Sequence, residues 1–65
     1  MDPRRRDLLR AIGLAEQFIA AAQASAAMAV QLGEPDHAAW YEEKAQLGEQ
    51  HRGRLQATLD ALPRE

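Results

Sequence analysis

Along the first half of the chain, apolar positions recur alternately four and three residues apart: Leu8, Ile12, Ala15, Ile19, Ala22, Ala26 and Ala29. The second half keeps the same rhythm through Ala38, Tyr41, Ala45, Gly48, Arg52, Leu55, Leu59 and Leu62. A repeat averaging about 3.5 residues is the seam of an α-helix packed with a left-handed twist against another helix. Strand-type alternation is absent, and the β-branched residues are only Ile12, Ile19, Val30 and Thr58. The breakers lie between and outside the two runs. Asp2-Pro3 supplies a cap and a first-turn proline. Gly33 suits the left-handed position after a helix, Pro35 opens the next one, and Pro63 ends it. The pattern predicts an all-α, antiparallel helical hairpin forming a single domain over residues 1–65, with helix 1 over 3–32, a turn at 33–35 and helix 2 over 35–62. Each helix would hold about 27–30 residues and reach about 40–45 Å.

The small residues define how the helices meet. A fold at Gly33–Glu34 sets Ala22 and Ala26 against Ala45 and Gly48, with Leu8 and Ile12 beside Leu55, Leu59 and Leu62 at the open end. Alanine and glycine across a seam let two backbones approach near the short end of the 8–10 Å range.

Helix 1 carries a second row at the same spacing: Leu14, Phe18, Ala21, Ser25, Met28 and Leu32. The two rows together cover about half of the helix circumference, more than one partner helix can hide. Arg10, Gly13, Gln17, Ala20, Ala24 and Gln31 face the other way. On helix 2, Trp40 and Leu47 are assigned to the same uncovered surface. Such a patch marks an interface. A chain of 65 residues without cysteine has no disulfide to supplement a small core, which leaves very good helix packing or association. The expected partner is a second copy, making a homodimeric four-helix bundle that then binds a protein partner.

Charge bears on orientation. The open end holds seven arginines (Arg4, Arg5, Arg6, Arg10, Arg52, Arg54, Arg64) against five carboxylates (Asp2, Asp7, Glu16, Asp60, Glu65). The turn end holds Lys44 alone against Glu34, Asp36, Glu42, Glu43 and Glu49. Antiparallel pairing sets each acidic tip beside the other copy's basic end, and rim charges of this kind bias orientation more than affinity.

Candidate chemistry is sparse. The Arg4–Arg6 run opposes the helix dipole at an N-terminus. With Arg10, Arg52 and Arg54 it forms a possible set of phosphate or acidic-partner contacts. Dimeric two-helix hairpins that bind RNA, the plasmid copy-number regulators of the Rop type, share this architecture, although no motif of theirs is present. His37, Lys44, His51 and Thr58 form a polar row beside the seam. Two histidines two turns apart lie about 10 Å from each other, too far to share a metal. The one Glu-x-x-His match, Glu34–His37, falls in the turn. Ser25 has no base at helical spacing, Glu42 and Glu43 read as a solvated face, and Trp40 with Tyr41, Met28 and Leu32 could line a small pocket. No catalytic residue, metal site or cofactor is predicted.

Three patterns resemble known signals. "RRRDLLR" resembles a twin-arginine export signal through Arg5, Arg6, Leu8, Leu9 and Arg10, but Glu16-Gln17 interrupts the apolar stretch such a signal needs. A membrane span over 8–32 is broken by Glu16, Gln17, Gln23 and Gln31, so a cytoplasmic location is expected. "LGEPDHAAWYEEKA" resembles the turn and second helix of a tetratricopeptide repeat, with Gly33, Ala38, Lys44 and Ala45 at matching spacings. The helices here are twice that unit's length and the aromatic is shifted by one, so the likeness implies hairpin chemistry and no function. The leading expectation is a non-enzymatic, self-associating interaction module. The alternative is a small nucleic-acid-binding regulator using the arginine-rich ends, and the third a metal- or ligand-binding bundle.

Overall fold

The structure, a computed structural model, describes residues 2–63. It contains α1 (Pro3–Gln31) and α2 (Pro35–Ala61), packed against each other as an antiparallel hairpin. Asp2 caps α1: its side chain accepts from the Arg4 backbone N–H at 2.8 Å, ahead of Pro3 in the first turn. At the other end Leu32 is the C-cap and Gly33 takes φ +72°. The Gly33 N–H donates to Val30 O at 3.1 Å, and the Glu34 N–H to Ala29 O at 2.9 Å. That bond pair is a Schellman motif, which satisfies the last carbonyls of α1 and reverses the chain. Leu62 closes α2 in extended conformation before Pro63. Each helix therefore stops one residue before the expected end, because Leu32 and Leu62 serve as caps. Glu34 precedes α2 without a side-chain cap bond. Its carboxylate instead meets His37 Nδ1 at 2.9 Å.

The hairpin is a rod of 52 × 15 × 10 Å. Its radius of gyration is 15.1 Å, against about 11 Å for a compact domain of this length. The buried residues are Ile12, Ala15, Ile19, Ala22, Ala26 and Ala29 of α1, and Ala38, Ala45, Gly48 and Leu59 of α2. All ten belong to the two four-three rows. Leu8, Tyr41, Leu55 and Leu62 are half-buried in the same rows, whereas Arg52 is exposed. A guanidinium has no partner inside a single-layer seam, so the Arg52 side chain stands in solvent.

Gly48 meets α1 one seam position nearer the open end than expected. A Cβ placed on it would lie 2.9 Å from Ile19 Cγ1 and 3.0 Å from Phe18 Cδ1. The waist is therefore Gly48 against Phe18–Ile19. No described side chain is fully buried. Two helices in one layer leave every seam residue open on a flank, where a domain core needs a second layer.

Candidate functional site

The two sides of the seam differ in chemistry. On one side Phe18, Ala21, Ala22 and Ser25 of α1 and Trp40, Tyr41 and Lys44 of α2 line a shallow groove of about 420 Å³. It continues toward the turn through Ser25, Met28, Ala29, Leu32, Glu34, His37 and Tyr41. Ser25 and Tyr41 belong to both stretches, so the surface is continuous. On the opposite side the crevice is lined by Gln23, Glu42, Ala45, Gln46 and Glu49. The first side is aromatic and apolar around Phe18 and Trp40 and gains Glu34 and His37 at the turn; the other carries polar and acidic side chains.

The large side chains of the apolar side stand in solvent. Phe18 is 51% exposed, Trp40 53%, Met28 62% and Leu32 66%. Leu14 and Leu47 are exposed too. Projected at about 100° per residue, Leu14 lies one turn from Phe18 on the same side, and Leu47 one heptad from Trp40 on the outer shoulder of α2. Leu47 lines neither groove. Leu9 and Val30 are also exposed. They fall in neither row and project to the opposite flank as isolated side chains, which is ordinary for a protein surface.

The aromatic pair is organised locally. Trp40 and Tyr41 meet edge to face, with centroids 5.1 Å apart and planes at 84°. Lys44 Nζ lies 5.0 Å from the Trp40 ring centre, a cation–π contact one turn along α2. The lysine thus satisfies its charge on the ring while its stem covers apolar surface. The Trp40–Tyr41 contact was not legible from spacing alone, because i,i+1 residues do not share a helix face, whereas Lys44 stands at the i,i+4 spacing at which helical side chains meet.

The charged ends are partly self-satisfied. Arg4 Nη2 pairs with Asp2 at 3.1 Å, and Arg6 Nε lies 3.8 Å from Asp7. The side-chain and backbone hydrogen bonds from Arg4 hold the Asp2 carboxyl below its usual 3.8. Asp60 accepts from Gln56 at 2.9 Å rather than from an arginine. Among the described residues, Arg5, Arg10, Arg52 and Arg54 form no ion pair; Arg64 and Glu65 lie outside them. Thr58 donates back to the Arg54 carbonyl at 3.0 Å, and His37 is engaged with Glu34. Among the described residues, no three His, Cys, Asp or Glu side chains converge as a metal site, and no helix is long and apolar enough to cross a membrane.

The chain exposes 4997 Å². A compact monomer of 7.2 kDa exposes about 4,100 Å² by the surface scaling of globular proteins. The surplus of about 900 Å² is close to the roughly 800 Å² that each partner contributes to a standard protein interface. No protein-family model, curated protein or solved structure matches this chain.

Proposed function

We propose that this chain is a non-enzymatic assembly module whose apolar side is covered by a second copy, giving a homodimeric four-helix bundle that presents its polar outer surface to a protein partner. The observation that carries this reading is the continuous uncovered surface of Phe18, Met28, Leu32 and Trp40, each at least half exposed. A second hairpin supplies the missing layer with chemistry of the same kind, and its size matches the surplus area. His37 and Glu34 line the same stretch of groove as Ser25, but among the described residues no hydrogen bond joins Ser25 to His37.

Sedimentation over a range of concentrations tests the reading. The parent chain should sediment as a dimer, and Phe18→Asp together with Met28→Asp should shift it to monomer, since a carboxylate on a dry interface is left without a partner. A parent chain that remains monomeric and melts cooperatively overturns the proposal.

A second reading rests on Arg5, Arg10, Arg52 and Arg54, the arginines without ion pairs among the described residues. In it the ends of the bundle grip phosphates. Its signature is RNA or DNA binding that weakens steeply with salt and is lost on replacing Arg10, Arg52 and Arg54 by alanine. Absence of binding at low salt ends it.

A further inference from the structure

The exposed row of α1 is symmetric in size about its own middle. Outward from the level of Gln23, Ala21 mirrors Ser25, Phe18 mirrors Met28, and Leu14 mirrors Leu32. Small stands opposite small and large opposite large. A two-fold interface has the same property: residue i of one copy meets j of the other, and j meets i. We infer that two copies associate as a staggered antiparallel dimer, α1 on α1 and α2 on α2, with the two-fold axis at the level of Gln23 rather than at the middle of the rod. This inference rests on the self-association proposed above and specifies its geometry.

Two further observations point to the same register. The first is where the apolar surface ends. It runs from Leu14 to Leu32, over the turn-side part of the rod, and the first turn of α1 is Asp2 through Arg6. A pairing centred on the rod's middle, near Gln17, would lay Met28 and Leu32 on that charged turn. The register at Gln23 lays Met28 on the partner's Phe18 and Leu32 on the partner's Leu14. It leaves the arginine-bearing first turns of α1 beyond the partner's tip.

The second is charge. Gly48 against Phe18–Ile19 fixes the level of α2, and counting from it sets Arg54 beside Ile12. The two-fold axis at Gln23 carries that level onto the partner's Glu34. Arg54 is exposed and has no ion pair among the described residues. Glu34 borders the apolar groove at the turn. A parallel dimer would instead place Glu34 and Asp36 beside their own copies; the register at Gln23 brings one like pair together, Lys44 beside the partner's Lys44 near the axis, where each ammonium rests on its own Trp40 ring.

The chain contains no cysteine, so single cysteines carry nitroxide labels without background. Gln17, Ala24 and Gln31 are exposed, spaced by heptads, and on the side of α1 facing away from the seam, so labels there leave the interface untouched. With about 1.5 Å rise per residue and helices about 10 Å apart, the register predicts label separations of about 10 Å at Ala24, about 20 Å at Gln17 and about 25 Å at Gln31. Electron–electron dipolar measurements should show that minimum at Ala24. A minimum at Gln17 means a dimer centred on the rod, and equal distances at all three sites mean a parallel dimer. Either result overturns the register while self-association stands. Absence of coupling at all three sites means monomers and overturns the proposed function with it.

Discussion

Replacing Gly48 by alanine sets two known effects against each other. In a helix interior, Gly→Ala normally stabilises by about 1 kcal/mol, because glycine loses more backbone freedom on folding. At Gly48 the new methyl would sit 2.9 Å from Ile19 Cγ1, and 3.0 and 3.3 Å from two carbons of the Phe18 ring. Carbon atoms are at their optimum about 3.5–4.0 Å apart, so something must move. The Phe18 ring is half exposed and can swing outward. Ile19 is 8% exposed and β-branched, with one strongly preferred helical rotamer, so the helices must part around it. Overpacking of this kind costs about 1–3 kcal/mol. The difference is a net loss of about 1 kcal/mol.

Gly53 and Gly13 are the internal controls, since a methyl at either meets nothing within 4 Å. Alanine there should show the propensity gain alone. Thermal unfolding followed by circular dichroism at 222 nm reads all three variants, at one fixed protein concentration because the proposed association would make stability concentration-dependent. For a domain of this size about 1 kcal/mol moves Tm by roughly 4–8 °C. Gly53→Ala should therefore melt above the parent and Gly48→Ala below it. A Gly48→Ala chain that melts with or above Gly53→Ala refutes the close approach of the helices at Phe18–Ile19.

Three other outcomes follow from the same structure. Ala26→Leu, at a position 5% exposed, should lower stability by about 1–3 kcal/mol through overpacking, read as a fall in Tm. Gly33→Ala forces a side chain into φ +72° and should cost about 1 kcal/mol, with Gly33→Asn intermediate in a denaturant titration. Asp2 has a folded pKa below 3.8, so its capping contribution is fully present above that pH and is lost as pH falls further. Protection of the Arg4 amide, its exchange relative to the intrinsic rate at the same pH, should fall in acid, and Asp2→Ala should lack that protection already at neutral pH.

The hairpin was legible because its signals agree. The four-three spacing, Asp2-Pro3, Gly33, Pro35 and Pro63 each point to the same element ends, and such agreement between local and global preference marks a well-specified fold. All ten buried residues lie on the spacing that predicts a seam. What spacing does not carry is register. The level at which Gly48 meets α1 depends on how the Schellman turn directs α2, and that geometry shifts its partner from Ala22 to Ile19. Arg52 fits the heptad by number and not by chemistry, since a charge needs water or a partner. The Trp40–Tyr41–Lys44 cluster depends on side-chain rotamers. The pairing of Arg4 with Asp2 belongs to cap geometry, in which a carboxylate already oriented by a backbone N–H collects the nearest guanidinium.

Phe18 joins the two halves of the argument. Its ring is one wall of the tight contact at Gly48, 3.0 Å from where a Cβ there would stand. The same ring lines the groove on the apolar side and is half exposed there. Small residues let the backbones approach, but they also make the seam thin, and a thin seam buries little. Alanine offers one methyl where leucine would offer four carbons, so an Ala-rich seam gains geometry at the expense of buried area. The area missing from the seam stands on the flank, in Phe18, Met28, Leu32 and Trp40. A partner that covers this flank buries those side chains and also presses the Phe18 ring onto Gly48. The closure of the hairpin and its association with a second copy are then one packing problem, with Phe18 shared between them.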